Sequence, residues 1–430
     1  MYIKRDKYLK KLIDARNNNM IKIITGVRRC GKSFLLFKIF KDYLLKSGIK
    51  RKNIVSIELD SEKNKKYRNS TELYNFIKSK INKRDKFYIF LDEVQYAISK
   101  EELKNHFDKP IELYGVLNEL AHLSNIDVYV TGSNSKLLSK DVMTEFRGRG
   151  EEIQVYPLSF EEYFSYIKKD VKVAFKNYCL YGGLPYILYK KEDLDKEKYL
   201  KNLFEEVYFK DIVERYDIEL LDIMKEICYL LSSNIGSLTN VNKIVSTLKS
   251  VKNIKVNNET IYNYLQYLQD SFLFKFARRY DVKGKKYFDF PMKYYCVDVG
   301  LRNAILNFRQ YEESHIMENI IHNELSNRGF SIDVGVVRFR NKNNKNIIHQ
   351  NTCEIDFVVN RGMNKYYIQS ALNIEDDDKK KQEIRPLLVV KDFFKKFIIT
   401  KDDFKPWIDD NGIIHIGIYD FLLNKDSLDY

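Results

Sequence analysis

Eight residues near the start of the chain, Gly26-Val27-Arg28-Arg29-Cys30-Gly31-Lys32-Ser33, place two glycines, a lysine and a hydroxyl at the spacing G-x-x-x-x-G-K-S. That spacing suits a polyphosphate. Glycines at both ends let backbone N–H groups curl around an anion, and a helix starting at Lys32 points its positive end at the same spot. Lys32 then reaches the β- and γ-phosphates, and the Ser33 hydroxyl is a ligand for Mg²⁺. Val27, Arg28, Arg29, Cys30 and Phe34 complete the candidate nucleotide contacts. Cys30 is a small filler in a basic neighbourhood that could lower its pKa and make it oxidisable.

The flanking residues supply the elements this loop needs. Met20–Thr25 is a short apolar run rich in β-branched residues, predicted to be a buried parallel strand. After the loop, Phe34, Leu35, Phe37, Ile39, Phe40, Tyr43 and Leu44 recur at helical spacing. A second apolar run, Lys86–Leu91, ends in Asp92-Glu93. Acids at the carboxyl end of a strand neighbouring a phosphate loop have separate tasks: Asp92 holds the metal through water, and Glu93 orients and polarises the attacking water. A third run, Ile126–Val130, ends in Thr131-Gly132-Ser133-Asn134, where Ser133 or Asn134 is a candidate sensor of the γ-phosphate; the alternative is an ordinary strand-ending turn with a helix cap at Ser133 or Ser135. Ile54–Asp60 adds another strand and Ile153–Val155 a further one, so the first third is expected to be a parallel α/β sheet. Arg147 and Arg149 lie between them, as candidates for an arginine finger acting in the same or a neighbouring subunit, or as solvated surface arginines.

Composition narrows the class. In 430 residues, 31% are charged, 44% hydrophobic and 14% aromatic, which excludes a mainly disordered or fibrous chain. No run approaches the roughly 18 apolar residues of a membrane span, and the polar start does not resemble a secretory leader, so the expected location is the cytoplasm. Five cysteines with no C-x-x-C pair argue for reduced thiols. The formal charge is +14, of which residues 1–50 contribute +11, from 14 Lys and Arg against 3 Asp. The excess surrounds the glycine loop, so part of this field serves an anionic nucleotide rather than nucleic acid.

Taken in order, Thr25–Ser33, Leu91–Gln95, Thr131–Asn134, Gly148-Arg149, Pro157–Glu162, Tyr181–Pro185, Lys210–Arg215, Met317–Asn319 and Cys353–Val358 make the chain resemble a prokaryotic family. Its members are AAA-type ATP-binding proteins with a C-terminal domain of unknown function. The resemblance implies ATP binding with Mg²⁺, hydrolysis, a winged-helix segment and a C-terminal fold similar to restriction-type nucleases. The family's motif positions correspond here to Gly26, Gly31, Lys32, Ser33, Asp92, Glu93, Ser133 and Arg149.

The resulting layout is a P-loop ATPase domain over 1–158, a helical linker or lid over 159–235, a winged helix over 236–300 and a nuclease-like α/β domain over 301–430. Gly182-Gly183-Leu184-Pro185 reads as a sharp reversal. In the winged-helix segment, Ser237-Leu238-Thr239 is expected to begin a helix, and Asn257–Thr260 to cap another over Ile261–Leu268. Phe272–Tyr280 and Tyr287-Phe288 are expected to form a hairpin around Asp281–Lys286. Val241–Pro291 holds ten basic and four acidic residues, favourable for DNA phosphates, although the helix at Ile261–Leu268 is strongly apolar for a base reader. In the last segment, Asp356 matches the first nuclease acid, but Gln369-Ser370-Ala371 replaces the required Glu-x-Lys, which leaves Asp356 and Glu318 as structural relics or hydrogen-bond partners. Neutral Gln binds Mg²⁺ poorly and Ala cannot act on water, so an inactive nuclease-like fold is expected. The predicted activity is Mg²⁺-dependent ATP hydrolysis to ADP and phosphate, with catalytic Glu93, Lys32 and Arg149, coupled to domain rearrangement. Candidate partners are ATP, DNA through the winged helix, a protein client and further copies of the chain. The alternative is a nucleotide-gated DNA-binding protein or scaffold with little hydrolysis.

Overall fold

The computed structural model describes all residues except 1, 100, 103–110, 134–148, 253, 343–347 and 374–376. The chain divides into two compact units. One runs up to Pro157 and includes Asp270–Phe272; the other comprises Leu158–Gln269 and Leu273–Tyr430.

In the first unit, helix α1 (Asp6–Asp14) precedes strand β1 (Ile21–Thr25). The glycine loop leads into helix α2, which starts as Lys32–Phe34, passes through a π-type stretch at Leu35–Phe40 and resumes as Lys41–Lys46. Then follow β2 (Ile54–Glu58), α3 (Ser70–Lys80), β3 (Phe87–Asp92), α4 (Glu112–Ala121), β4 (Ile126–Thr131) and β5 (Gly150–Gln154). The strands form one parallel sheet in the order β2-β3-β4-β1-β5. Both faces are covered, which is why β1, β3 and β4 are buried at every residue. Ile23, Ile57, Ile89 and Val128 pack on Leu73, Ile77, Leu117 and Leu120. On the opposite face Phe40 of α2 lies 5.0 Å from the Tyr129 ring and 5.8 Å from that of Phe90. Alternation along each strand thus assigns every side chain to one helix layer. Lys22 breaks the apolar run: its ammonium is fully buried and pairs with Asp127 on β4, which also accepts from the Asn17 N–H at 3.0 Å and the Tyr129 hydroxyl at 2.9 Å.

The second unit begins with α5 (Phe160–Ile167), whose start is a capping box: Ser159 accepts from the Glu162 N–H, and Glu162 from the Ser159 N–H. Helix α6 (Val171–Tyr181) ends at Gly182-Gly183. The reversal here is set by packing. The Asp298 carboxylate accepts from the Gly183 N–H at 2.7 Å and the Leu301 N–H at 3.1 Å, and a Cβ on Gly182 would meet Asp298 Oδ1 at 2.1 Å. Burial pushes Asp298 up to about 6.

Further along are α7 (Asp193–Asn202), α8 (Leu221–Ser233), β6 (Leu238–Thr239), α9 (Val241–Lys252) and α10 (Asn258–Asp270). Leu238-Thr239 is therefore a strand, not a helix start, because it pairs with Lys293 and Met292. Asn257 caps α10, accepting from the Thr260 N–H at 2.7 Å. The hairpin of β7 (Phe274–Asp281) and β8 (Lys286–Cys296) turns within the expected residues, but its return strand runs on to Cys296. It does not close a sheet of its own. β7 pairs in parallel with β9 (Ser331–Lys342), through Arg279 and Val334 among others.

After α11 (Val299–Ile305) and α12 (Glu313–Asn327), the sheet continues through β10 (Ile348–Arg361), β11 (Asn364–Ala371), β12 (Lys395–Thr400), β13 (Trp407–Ile408) and β14 (Ile413–Gly417). Among the described residues it has nine strands in the order β13-β14-β12-β11-β10-β9-β7-β8-β6. The strands expected in the winged-helix and nuclease-like segments thus share one hydrogen-bonded sheet. Among the described residues no helix is long and apolar enough to cross a membrane.

Candidate nucleotide site

At the carboxyl ends of β1, β3 and β4 the first unit gathers most of the residues singled out by the sequence. Gly26 has φ +136, and a Cβ there would sit 2.1 Å from the Val155 carbonyl oxygen, so only glycine passes. Arg29 at φ 62 and Gly31 at φ 100 bend the loop again. Lys32, 3% exposed, returns its ammonium to the loop, donating to the carbonyls of Gly26 at 2.9 Å and Val27 at 3.1 Å. The backbone curl and the cation are therefore parts of one small structure. Phe34 projects outward, half exposed, edge-on to Tyr2 with ring centroids 5.7 Å apart.

Cys30 does not behave as a basic neighbourhood suggests. It is fully buried, its Sγ lies 3.4 Å from the Val155 carbonyl, and burial pushes the thiol pKa up despite Lys32 and Arg5. It is a packed filler with no access for an oxidant.

The two acids at the end of β3 are tied together by Thr131, at the end of β4. The Thr131 hydroxyl donates to Asp92 Oδ1 and accepts from the Glu93 N–H at 3.0 Å. One hydroxyl thus uses both its donor and an acceptor position. Glu93 sits at φ 51, ψ 53, a left-handed conformation that costs a β-carbon-bearing residue on the order of 1 kcal/mol. Its carboxylate accepts from the Gln95 amide. That amide also lies 3.4 Å from Ser133 Oγ, to which Arg28 Nε donates at 3.3 Å. Ser133 therefore links the loop to the Glu93 carboxylate through Gln95. Asn134 lies outside the described residues.

Burial pushes Asp92 up to about 6, and the neighbouring Glu93 charge adds to this; hydrogen bonds from Thr131 and Ser33, and the Lys32 charge, pull the other way. A carboxylate strained in this way is relieved by a nearby cation. With the Ser33 hydroxyl beside it, the donor set is hard oxygen, which fits Mg²⁺.

Arg149 is not brought to this place. It precedes β5, its carbonyl accepts from the Ile21 N–H, and its guanidinium contacts the ring of His122. Ile21 begins β1 and the glycine loop follows its end, so roughly 16 Å of strand separates them. The parallel register puts Arg149 at the amino end of the sheet, and the expected finger within the same chain is corrected. Arg147 lies outside the described residues. Sequence reading also missed Thr131 as the link between the acids and Gln95 as the partner of Glu93. The polar residues closing β3 and β4 were the available signal.

In the second unit, Glu318 and Asp356 do come together, around Lys293, which the sequence did not single out. Gln369 lies beside them: its Oε1 accepts from the Asp356 N–H at 3.4 Å and its amide donates to Glu383 at 3.0 Å.

Family models match both parts of the chain. An AAA domain model matches residues 18–164, and a model of a domain of unknown function (DUF8612) matches residues 172–312. A protein of Haemophilus influenzae, itself uncharacterized, is 33% identical over 427 residues, covering 98% of both chains. An uncharacterized protein of Methanocaldococcus jannaschii is 28% identical over 380 residues, 85% of this chain and 77% of that one. Among solved structures, the Walker-type ATPase Paby2304 of Pyrococcus abyssi aligns over 71% of this chain and 96% of its own, at 16% identity and a TM-score of 0.49. With the glycine loop, the paired acids and the parallel sheet in place, and with the Haemophilus relative matched almost end to end, the chain belongs to the family of AAA-type P-loop proteins whose AAA domain is followed by this domain of unknown function.

Proposed function

We propose that the chain binds ATP with Mg²⁺ and hydrolyses it to ADP and phosphate. The observation that carries this reading is the convergence of Lys32, Ser33, Asp92 and Glu93 on one edge of the sheet, with Thr131 tying the two acids together. The loop amides and the Lys32 ammonium bind the β- and γ-phosphates and stabilise charge that moves onto the leaving oxygen. Ser33 and Asp92 would hold the magnesium ion, which when bound supplies neutralising charge to the phosphates. Glu93 orients the attacking water for in-line displacement and accepts its proton. Gln95 fixes the Glu93 carboxylate, and Ser133, bonded to Arg28, relates that carboxylate to the loop. Arg28 also adds positive charge beside the phosphates. Nucleotide state then changes how the second unit engages a protein client or DNA.

The test is calorimetric and kinetic. Titration of Mg·ATP into the full-length protein should give saturable heat, and Lys32→Ala should weaken binding at least about tenfold, through loss of a buried charge–phosphate contact. Glu93→Gln should bind as the parent does while phosphate release falls about 100-fold or more. Absence of heat from the folded parent would overturn the reading. Tight binding without phosphate release would leave ATP as a conformational ligand only. The rate should be measured with and without duplex DNA, since Val241–Pro291 carries an excess of six positive charges.

A further inference from the structure

Two elements of the second unit bring three carboxylates to one point. α12 supplies Glu318, and β10 supplies Glu354 and Asp356. β8 supplies the cation between them. The Lys293 ammonium lies 3.0 Å from Glu318 Oε1, 2.9 Å from Glu354 Oε1 and 3.1 Å from Asp356 Oδ1. The Lys293 side chain is 4% exposed. The ammonium donates to Glu318 and Asp356 and forms an ion pair with Glu354. Two further donors reach these carboxylates. Tyr295 donates its hydroxyl to Glu318 Oε1 at 2.8 Å, and the Ser370 N–H donates to Asp356 Oδ2 at 3.0 Å. Gly236 closes the Glu318 side, where a Cβ would come within 3.0 Å of the carboxylate carbon and both oxygens. Burial pulls the Lys293 pKa down, but Asp356, Tyr295, Glu318 and Glu354 outweigh it and hold the ammonium protonated.

Three carboxylates from two chain segments surround a single buried positive charge, and carboxylate oxygen is the donor that a hard divalent cation takes. We propose that the Lys293 ammonium is the built-in cation of this centre, standing where a divalent metal ion would otherwise sit, and that its removal converts Glu318, Glu354 and Asp356 into a Mn²⁺- or Mg²⁺-binding site. The centre joins α12 to the sheet without metal, and it does so independently of the nucleotide site. Three carboxylates stripped of their cation repel one another in a buried place, so the gain from binding an ion there is large.

Mn²⁺, followed by the loss of its free-ion paramagnetic resonance signal, is the probe, with full-length protein and no nucleotide. Lys293→Ala should bind one Mn²⁺ per chain more than the parent, and adding Asp356→Asn should return the count to the parent's. Mn²⁺ should raise the melting temperature of Lys293→Ala, and that gain should be lost with Asp356→Asn. Should Lys293→Ala fail to fold, recovery of its cooperative melting by Mn²⁺, but not by sodium at equal ionic strength, supports the same conclusion. A folded Lys293→Ala that binds no more Mn²⁺ than the parent overturns it. So does an unfolded one that Mn²⁺ does not rescue, or a parent that already binds Mn²⁺ in an Asp356-dependent way.

Discussion

Replacing Asp92 by Asn should stabilise the first unit at alkaline pH and do almost nothing in acid. The carboxyl is 5% exposed and its pKa is pushed from 3.8 to about 6, first by burial and then by Glu93. Two pKa units at 1.36 kcal/mol each correspond to about 3 kcal/mol. The folded protein holds this proton more tightly than the unfolded chain does. Stability is therefore unaffected below about pH 4, falls as pH rises through the interval, and carries the whole penalty above about pH 6. Asn keeps an oxygen for the Thr131 hydroxyl and has no charge to desolvate. Asp92→Asn should thus exceed the parent by up to about 3 kcal/mol near pH 8, with the difference shrinking toward zero near pH 4. Hydrogen exchange of β1, β3 and β4 in urea, read on full-length protein without nucleotide, isolates this unit from the other. A less stable Asn variant near pH 8, or a difference independent of pH, would show that burial does not strain this carboxylate. If the strain is real, the parent gives up stability for a carboxylate suited to a cation.

Thr131→Val is close to isosteric but leaves the Glu93 N–H unpaired and removes the donor to Asp92. It should cost about 2–4 kcal/mol in denaturant and slow phosphate release more than tenfold, whereas Thr131→Ser should recover most of both. Lys22→Met leaves Asp127 buried without its cation and should destabilise by about 3–5 kcal/mol, with the Lys22→Met/Asp127→Leu pair regaining most of the loss. Arg149→Ala should leave single-chain ATP turnover within about twofold, given its place at the amino end of the sheet. A fall of about 1000-fold that depends on protein concentration would instead assign Arg149 to a neighbouring subunit's phosphate.

The glycine loop was legible because its chemistry is local. Turn geometry, helix start, lysine and hydroxyl all lie within a few consecutive residues, so spacing alone carries them. Asp92 and Glu93 were legible for a similar reason: an apolar run that stops at two acids marks the end of a buried strand. The Ser159–Glu162 capping box and the Asn257 cap are equally local. By composition and motif order the sequence by itself determined a parallel α/β unit with a glycine loop and two adjacent acids along one edge.

What lies between segments was decided only by tertiary structure. Thr131 binds both acids because β4 neighbours β3, and Arg149 misses the loop because parallel register sets which end of β5 it begins. Leu238-Thr239 became a strand when β8 offered it partners, and the β7–β8 hairpin joined a nine-stranded sheet through β9. Lys293 looked like one more lysine in a basic stretch, yet β8, β10 and α12 bury it among three carboxylates. The reason is common to all of these. Charge pairing and strand pairing act across a few ångströms of space, and residues 25 to 128 positions apart share those ångströms only once the chain has folded.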